Sequence, residues 1–264
     1  MATQSKFDPQ LDVRFLPGEM SFAYGPGIFG PQPELRRLDA IRASLRDPGS
    51  SGPDPVYSIV MDVGRESDRT QLQQSWLLFG VVAYACGRVG AEPVRSQGHV
   101  HAIAPHCGWS TPELFEIWQG RAVIYAQEHM QDNPGRCVAI EAGPGEQIVV
   151  PPGWAHYVVN ADPDVPLVFG AWCDRQYGFV YDKVRAYRGL AWFPLLDASG
   201  KLTWERNPNY SSVSTIRISN CRSYPELGLS PDVPIYQQLL KNPESVQWVS
   251  DPGRIASIWQ SFEP

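Results

Sequence analysis

The 264-residue chain is poor in thiols, and the few it has follow no pairing pattern. Its five cysteines, Cys86, Cys107, Cys137, Cys173 and Cys221, are scattered and odd in number, and no CxxC occurs. That argues against a disulfide framework and against a zinc site built on thiolates, and for a reducing, cytoplasmic setting. No run of basic residues exists either. The 22 Lys+Arg are mixed with 28 Asp+Glu for a net charge of −6, so the basic stripe of a nucleic-acid binder is missing. Long apolar runs are lacking too. The longest, around Trp76 to Cys86, is broken by Gly80 and is far too short to span a bilayer. The first 20 residues have no continuous apolar core and no small-residue cleavage site, so no secretory leader is expected. No repeat or linker divides the chain.

Proline (25) and glycine (23) are abundant, and both punctuate chains into short elements. The segment to Pro33 reads as irregular. A helix is expected next, with Pro33 at its first position, Leu35, Leu38, Ile41 and Leu45 at helical spacing, and Pro48 as its stop. From Val56 to about Val184 the pattern becomes strands: Val56–Asp62, Trp76–Cys86, Pro93–Gln97, Leu114–Trp118, Ala122–Gln127, Cys137–Glu141, Gln147–Val150, His156–Val159 and Leu167–Trp172. Many short strands bounded by turn residues imply an all-β sandwich or barrel. DASGK, inside Leu195–Trp204, reads as a hairpin turn, and Ile235–Leu240 as a short helix. The organisation expected is an N-terminal arm with its helix (1–55), a barrel (56–184) and a C-terminal extension wrapped over it (185–264).

Four side chains fall where a metal would want them. His99 and His101 are two apart, so in a strand they share one face. Glu113 opens a following strand, and His156 lies in GEQIVVPPGWAHYVVN, which contains PxGxxHxxxN without a gap. Three imidazoles and a carboxylate suit one borderline divalent ion: Fe(II) foremost, with Mn(II), Ni(II) or Zn(II) as alternatives. Two positions would stay open for substrate or water. Glu116 follows Glu113 by three, faces the other way and is not assigned to the metal. His106 and His129 are expected at the surface, with His106 also within reach of the site mouth, and Cys107 is read as an inert thiol.

These two clusters resemble the paired signature motifs of the cupin superfamily, whose fold is a β-barrel, the double-stranded β-helix or jelly roll. The string SQGHVHAIAPHCGWSTPELFEIWQGRAVIYAQ, with YGPGIFGP, RRLDAIRASLRDP, PVYSIVMDV and WCDRQYGFVYDKV, is similar more narrowly to cupin-type glucose-6-phosphate isomerases, from about Tyr24 to Tyr210. The resemblance implies an aldose–ketose isomerase that interconverts glucose 6-phosphate and fructose 6-phosphate through a cis-enediol. It implies His99, His101, Glu113 and His156 as metal ligands and Glu113 also as general base. Arg95, Ser96 and Gly98 would hold the phosphate, with Tyr57 and Tyr177 lining the sugar site. It also implies a homodimer.

The chain departs from the family pattern in places. Pro93 replaces a glycine, and eleven residues, not three or four, separate His101 from Glu113, which reads as a loop insertion between two strands. Phe115 replaces a tyrosine, Val82 a phosphate-binding threonine, and Cys173 falls near a tyrosine position. The losses keep open another cupin enzyme, an epimerase or oxygenase acting on a different substrate, and beyond it a non-catalytic sugar-binding cupin.

Overall fold

The structure, a computed structural model, describes residues 7–176 and 178–264. Two sheets face each other. One has six strands in the spatial order Gln147–Val150, Glu113–Gln119, Leu167–Asp174, Leu77–Tyr84, Tyr57–Met61 and Glu34–Arg36, with every neighbour antiparallel. The other runs Ala155–Asn160, Ala122–Gln127, Cys137–Ala142 and Ile216–Asn220, antiparallel but for the last pair. From Glu113 onward the chain crosses back and forth between the sheets, which gives the jelly-roll barrel of the cupin fold. Both flanking segments enter the sheets: residues 34–36 extend one and residues 216–220 the other.

Leu77–Tyr84, Ala122–Gln127, Ala155–Asn160 and Leu167–Asp174 are buried along their whole length. A barrel with wet outer walls would alternate apolar and polar residues. Here both outer walls are covered. Val82, Phe115, Ile124, Ile140 and Phe169 fill the space between the sheets. Phe79, Leu114 and Trp172, on the outside of the six-stranded sheet, lie under Tyr224, Ile235, Tyr236 and Trp248 of the C-terminal segment and Leu11 and Phe22 of the N-terminal arm. Tyr125 and Tyr157, outside the four-stranded sheet, lie under Val184, Leu190 and Tyr210. The expected DASGK turn joins the paired strands Trp192–Leu196 and Leu202–Arg206, and the short helix spans Ile235–Lys241. Among the described residues no helix is long and apolar enough to cross a membrane.

Two expected elements differ. The helix from Pro33 is replaced by an edge strand, Glu34–Arg36, one α-turn, Leu38–Ile41, and a 3₁₀ turn, Arg42–Ser44. Leu38, Ile41 and Leu45 are buried as the periodicity requires, but Leu35 is 37% exposed, because its backbone pairs with Ser58 and the helical face begins only at Leu38. The expected strand Pro93–Gln97 is reduced to Glu92–Pro93 and a single bridge from Arg95 to Val159. Beside it the Ser96 hydroxyl accepts the Val158 N–H at 3.1 Å, so a side chain takes part of the work of a regular ladder.

Glu116 faces outward, as strand parity requires, yet it is buried. Its carboxylate accepts Trp118 Nε1–H at 3.0 Å and the Ile235 N–H at 2.8 Å, tying the barrel wall to the start of the C-terminal helix. Burial pushes this carboxyl up to about 7, against the opposing pull of those two hydrogen bonds. The folded value lies above the unfolded one of 4.5, so this group's stabilisation is complete below that pH and is lost as pH rises through about 7. The unfolding free energy of the wild type minus that of Glu116→Gln should fall between pH 5 and pH 8, by roughly 3 kcal/mol at most. Urea titrations of both proteins at the two pH values measure it. A difference that stays flat or rises would show that Glu116 is ionised throughout.

Candidate functional site

His99 and His156 face each other across an antiparallel bridge. The His99 N–H donates to His156 O at 3.0 Å, and the His156 N–H returns to His99 O at 2.9 Å. His101 lies two residues on, in Val100–His101, which pairs with Phe179–Val180. Glu113 starts its strand opposite Val150, the last strand residue before the turn that leads to His156. The ligand atoms of His99, His101, Glu113 and His156 all lie within 4.8 Å of one another. Donors about 2.1 Å from one ion sit roughly 3–4.2 Å apart, so the four need close in by only about half an ångström to form a metal shell.

The insertion between His101 and Glu113 folds into a small hairpin, Ile103–Ala104 against Trp109–Ser110. Its return leg brings Thr111 O to 2.8 Å from His101 Nδ1, and the Ser110 hydroxyl donates to His101 O. The longer loop therefore keeps register and turns His101 Nε2 inward, as a metal ligand requires. His106, on this hairpin, does not line the cavity. It stacks on Trp76 with centroids 4.7 Å apart, and its Nε2 lies 3.1 Å from Asp174 Oδ2 and 3.0 Å from Ser250 O. The insertion is thereby pinned to the barrel end and to the C-terminal segment. His129 is exposed.

Two observations on the donors fit a cation. The Nε2 atoms of His99 and His101 are buried and make no hydrogen bond. Glu113 Oε2 is hydrogen-bonded to His156 Nε2 at 3.1 Å and lies 3.2 Å from His101 Nε2, so one carboxylate oxygen sits between the two rings. Burial acts to raise the Glu113 carboxyl, but the two imidazoles overcome it and hold the group well below the usual carboxylate range. Burial, with His156 and His101 nearby, holds the His99 imidazole well below its ordinary value and so neutral, the form that binds metals.

Beside the cluster opens a cavity with an empty volume of about 660 Å³, part of it open to solvent. Tyr57, Ser96 and Gly98 line it, as do the three departures Val82, Phe115 and Cys173. Gly98 has φ +90°, and a Cβ there would meet Leu190 Cγ at 3.3 Å. Tyr177 lies outside the described residues. Arg95 is a correction. It is 1% exposed, it pairs with the 3% exposed Glu92 at 2.6 Å, and it donates to Ser44 O and Ser96 O, with its guanidinium over the Tyr157 ring. It points to the outer wall while Ser96 beside it faces the cavity, because neighbours in an extended chain take opposite faces. Sequence reasoning missed Tyr84 and Arg36, which both line the cavity. Parity would have given Tyr84, two residues after Val82. Arg36 enters only because the ladder sets it opposite Tyr57.

A family model described as glucose-6-phosphate isomerase matches residues 38–212. The glucose-6-phosphate isomerase of Thermococcus gammatolerans is 27% identical over 158 residues, covering 60% of this chain and 75% of that protein. The isomerase of Pyrococcus abyssi is 25% identical over 190 residues, covering 70% and 92%. Among solved structures, an oxalate oxidase overlays with a TM-score of 0.36 at 13% identity, covering 47% of this chain and 54% of the other.

The buried Arg95–Glu92 pair gives a direct test of the correction. Arg95→Ala should destabilise the fold by about 3–5 kcal/mol, since it strands a buried carboxylate. At a temperature where the variant is folded, its Michaelis constant for a phosphorylated sugar should match the wild type. A stable variant with a raised Michaelis constant would return Arg95 to the substrate site.

Proposed function

The chain belongs to the glucose-6-phosphate isomerase family, matched over residues 38–212, and from that premise we propose that it is a metal-dependent aldose–ketose isomerase acting on glucose 6-phosphate and fructose 6-phosphate. The observation that carries the reading is the convergence of His99, His101, Glu113 and His156 at the wall of a largely apolar cavity. A divalent ion held by these four would polarise the substrate carbonyl and stabilise an enediolate oxygen. The same four-residue set argues against a purely sugar-holding cupin, which has no need of such a cluster.

Glu113 is the group placed to move the proton. Its Oε2 is held between two imidazoles, which fixes the carboxylate at the cavity wall, and its side chain is only 12% exposed. Such a carboxylate is ionised and is a weak base, so the carbon acid must be strengthened for the transfer to run. The proton leaves carbon 2 to a Glu113 oxygen, giving a cis-enediolate; a proton passes from the O2 hydroxyl to O1 through the cis-enediol, and Glu113 returns its proton at carbon 1, leaving the carbonyl at carbon 2. The buried, largely apolar walls, among them Val82, Phe115 and Phe169, limit water at the carboxylate, so only part of the proton it carries exchanges with solvent. A homodimer and a cytoplasmic setting belong to the same reading.

Metal-loaded protein with fructose 6-phosphate tests the reaction, and production of glucose 6-phosphate without oxygen uptake is expected. Oxygen consumption with Fe(II), and no isomerisation, would favour an oxygenase. Glu113→Gln keeps the side-chain size and one weak oxygen donor but removes the basic carboxylate. It should stay folded, take up metal at saturating supply and lose about 100-fold or more in turnover. In deuterated water the wild-type product should carry some solvent deuterium, as proton transfer through an enediol requires. Near-normal turnover by the metal-loaded variant, with no deuterium in the wild-type product, would replace the base with a hydride shift.

A further inference from the structure

We propose that Arg36 holds the anionic end of the substrate and so decides which sugars this cavity accepts; the inference rests on the sugar-phosphate reading of the same pocket. Among the described residues lining the cavity, Arg36 carries the one permanent positive charge. Its side chain is 25% exposed, and its Nε is buried with no hydrogen-bond partner among the described residues. A buried N–H with nothing to donate to is costly, and an incoming oxygen anion satisfies it. The guanidinium is steadied by the Tyr57 ring, 6.0 Å from its centroid, which in turn stacks on Tyr84 at 4.9 Å. Among the described residues its one ion pair is with Glu34, 2.7 Å away and 64% exposed, and surface pairs of this kind hold weakly.

The rest of the wall leaves no competing charge for an anion. Ile59, Met61, Val82, Phe115 and Phe169 are apolar. Arg95 is committed to Glu92, and the Ser96 hydroxyl already accepts the Val158 N–H. Arg36 attracts an anion with the planar fork that suits phosphate oxygens. With a divalent ion taken up by His99, His101, Glu113 and His156, the carbonyl end would go to the ion and the phosphate to Arg36, the one permanent cation elsewhere on the described wall. Arg36 is thus a specificity residue that supplies, as one charge, what hydroxyls at positions 82, 115 and 173 do not.

The test is calorimetric binding of glucitol 6-phosphate and of glucitol to metal-loaded protein, with fructose 6-phosphate kinetics alongside. Wild type should prefer the phosphate ester. Arg36→Met should weaken glucitol 6-phosphate about 10- to 100-fold and leave glucitol and metal content unchanged. Arg36→Lys should recover part of the loss, which a misfolded strand would not allow. Glu34→Gln should bind as tightly as wild type or tighter, because it frees the guanidinium. Unchanged glucitol 6-phosphate binding by Arg36→Met overturns the proposal, and so does an equal loss in Glu34→Gln, which would make the pair a brace for the strand. Wild type that binds the ester through Arg36 yet isomerises nothing overturns the isomerase reading alone. Wild type that isomerises, with an unchanged Michaelis constant in Arg36→Met, overturns Arg36 alone.

Discussion

The candidate site depends on one reciprocal pair of backbone hydrogen bonds, between His99 and His156. The two residues come from motifs far apart in the chain, and only this bridge puts their rings on a common face, 4.4 Å between centroids. Glu113 is brought to them from the other sheet by its pairing with Val150. The carboxylate therefore enters from one wall and two imidazoles from the other, and the barrel has to close for the four to meet. Any cation held there would bind the two sheets together, so metal affinity and barrel stability draw on the same contacts.

A site of this kind needs walls that do not give, and the covering segments supply them. Both outer faces of the sandwich are buried, one by the N-terminal arm and C-terminal segment, the other by residues from Val184 to Tyr210. Phe79 is wedged among Trp172, Trp118 and Tyr236, so the outer packing reaches the strand that carries Val82 into the cavity. The hairpin of residues 103–110 is tied down in the same way, through His106 to Asp174 and Ser250. The extra length between His101 and Glu113 is thus taken up by structure and does not loosen the ligands.

The cavity is chemically lopsided. Its deep wall is apolar, its carboxylate sits at the histidines, and its permanent cation, Arg36, comes from an edge strand outside the continuous barrel run. The segment that the periodicity reads as a helix is the one that delivers this charge. Had residues 34–36 been helical, Arg36 would have no fixed place opposite Tyr57. The pocket thus combines a permanent cation, aromatic rings and a cluster of imidazole and carboxylate donors.

The sequence by itself determined that residues 56–184 are a run of short strands forming a barrel, which four side chains cluster and the outward turn of Glu116, because parity and motif spacing are local properties that survive whatever the chain packs against. It determined less where one segment's role is set by another. The full burial of Leu77–Tyr84 is legible as an apolar run, but which segments cover it is not. Arg95 reads as a phosphate ligand beside Ser96 until Glu92 and Ser44, one of them from a distant turn, are seen to claim it. Arg36 falls within the expected helix, and only the ladder with Tyr57 makes it part of the cavity. Tertiary structure decided these because the side taken by a charged residue depends on which partner lies within hydrogen-bond reach, and that is fixed by register between strands and not by neighbours in the chain.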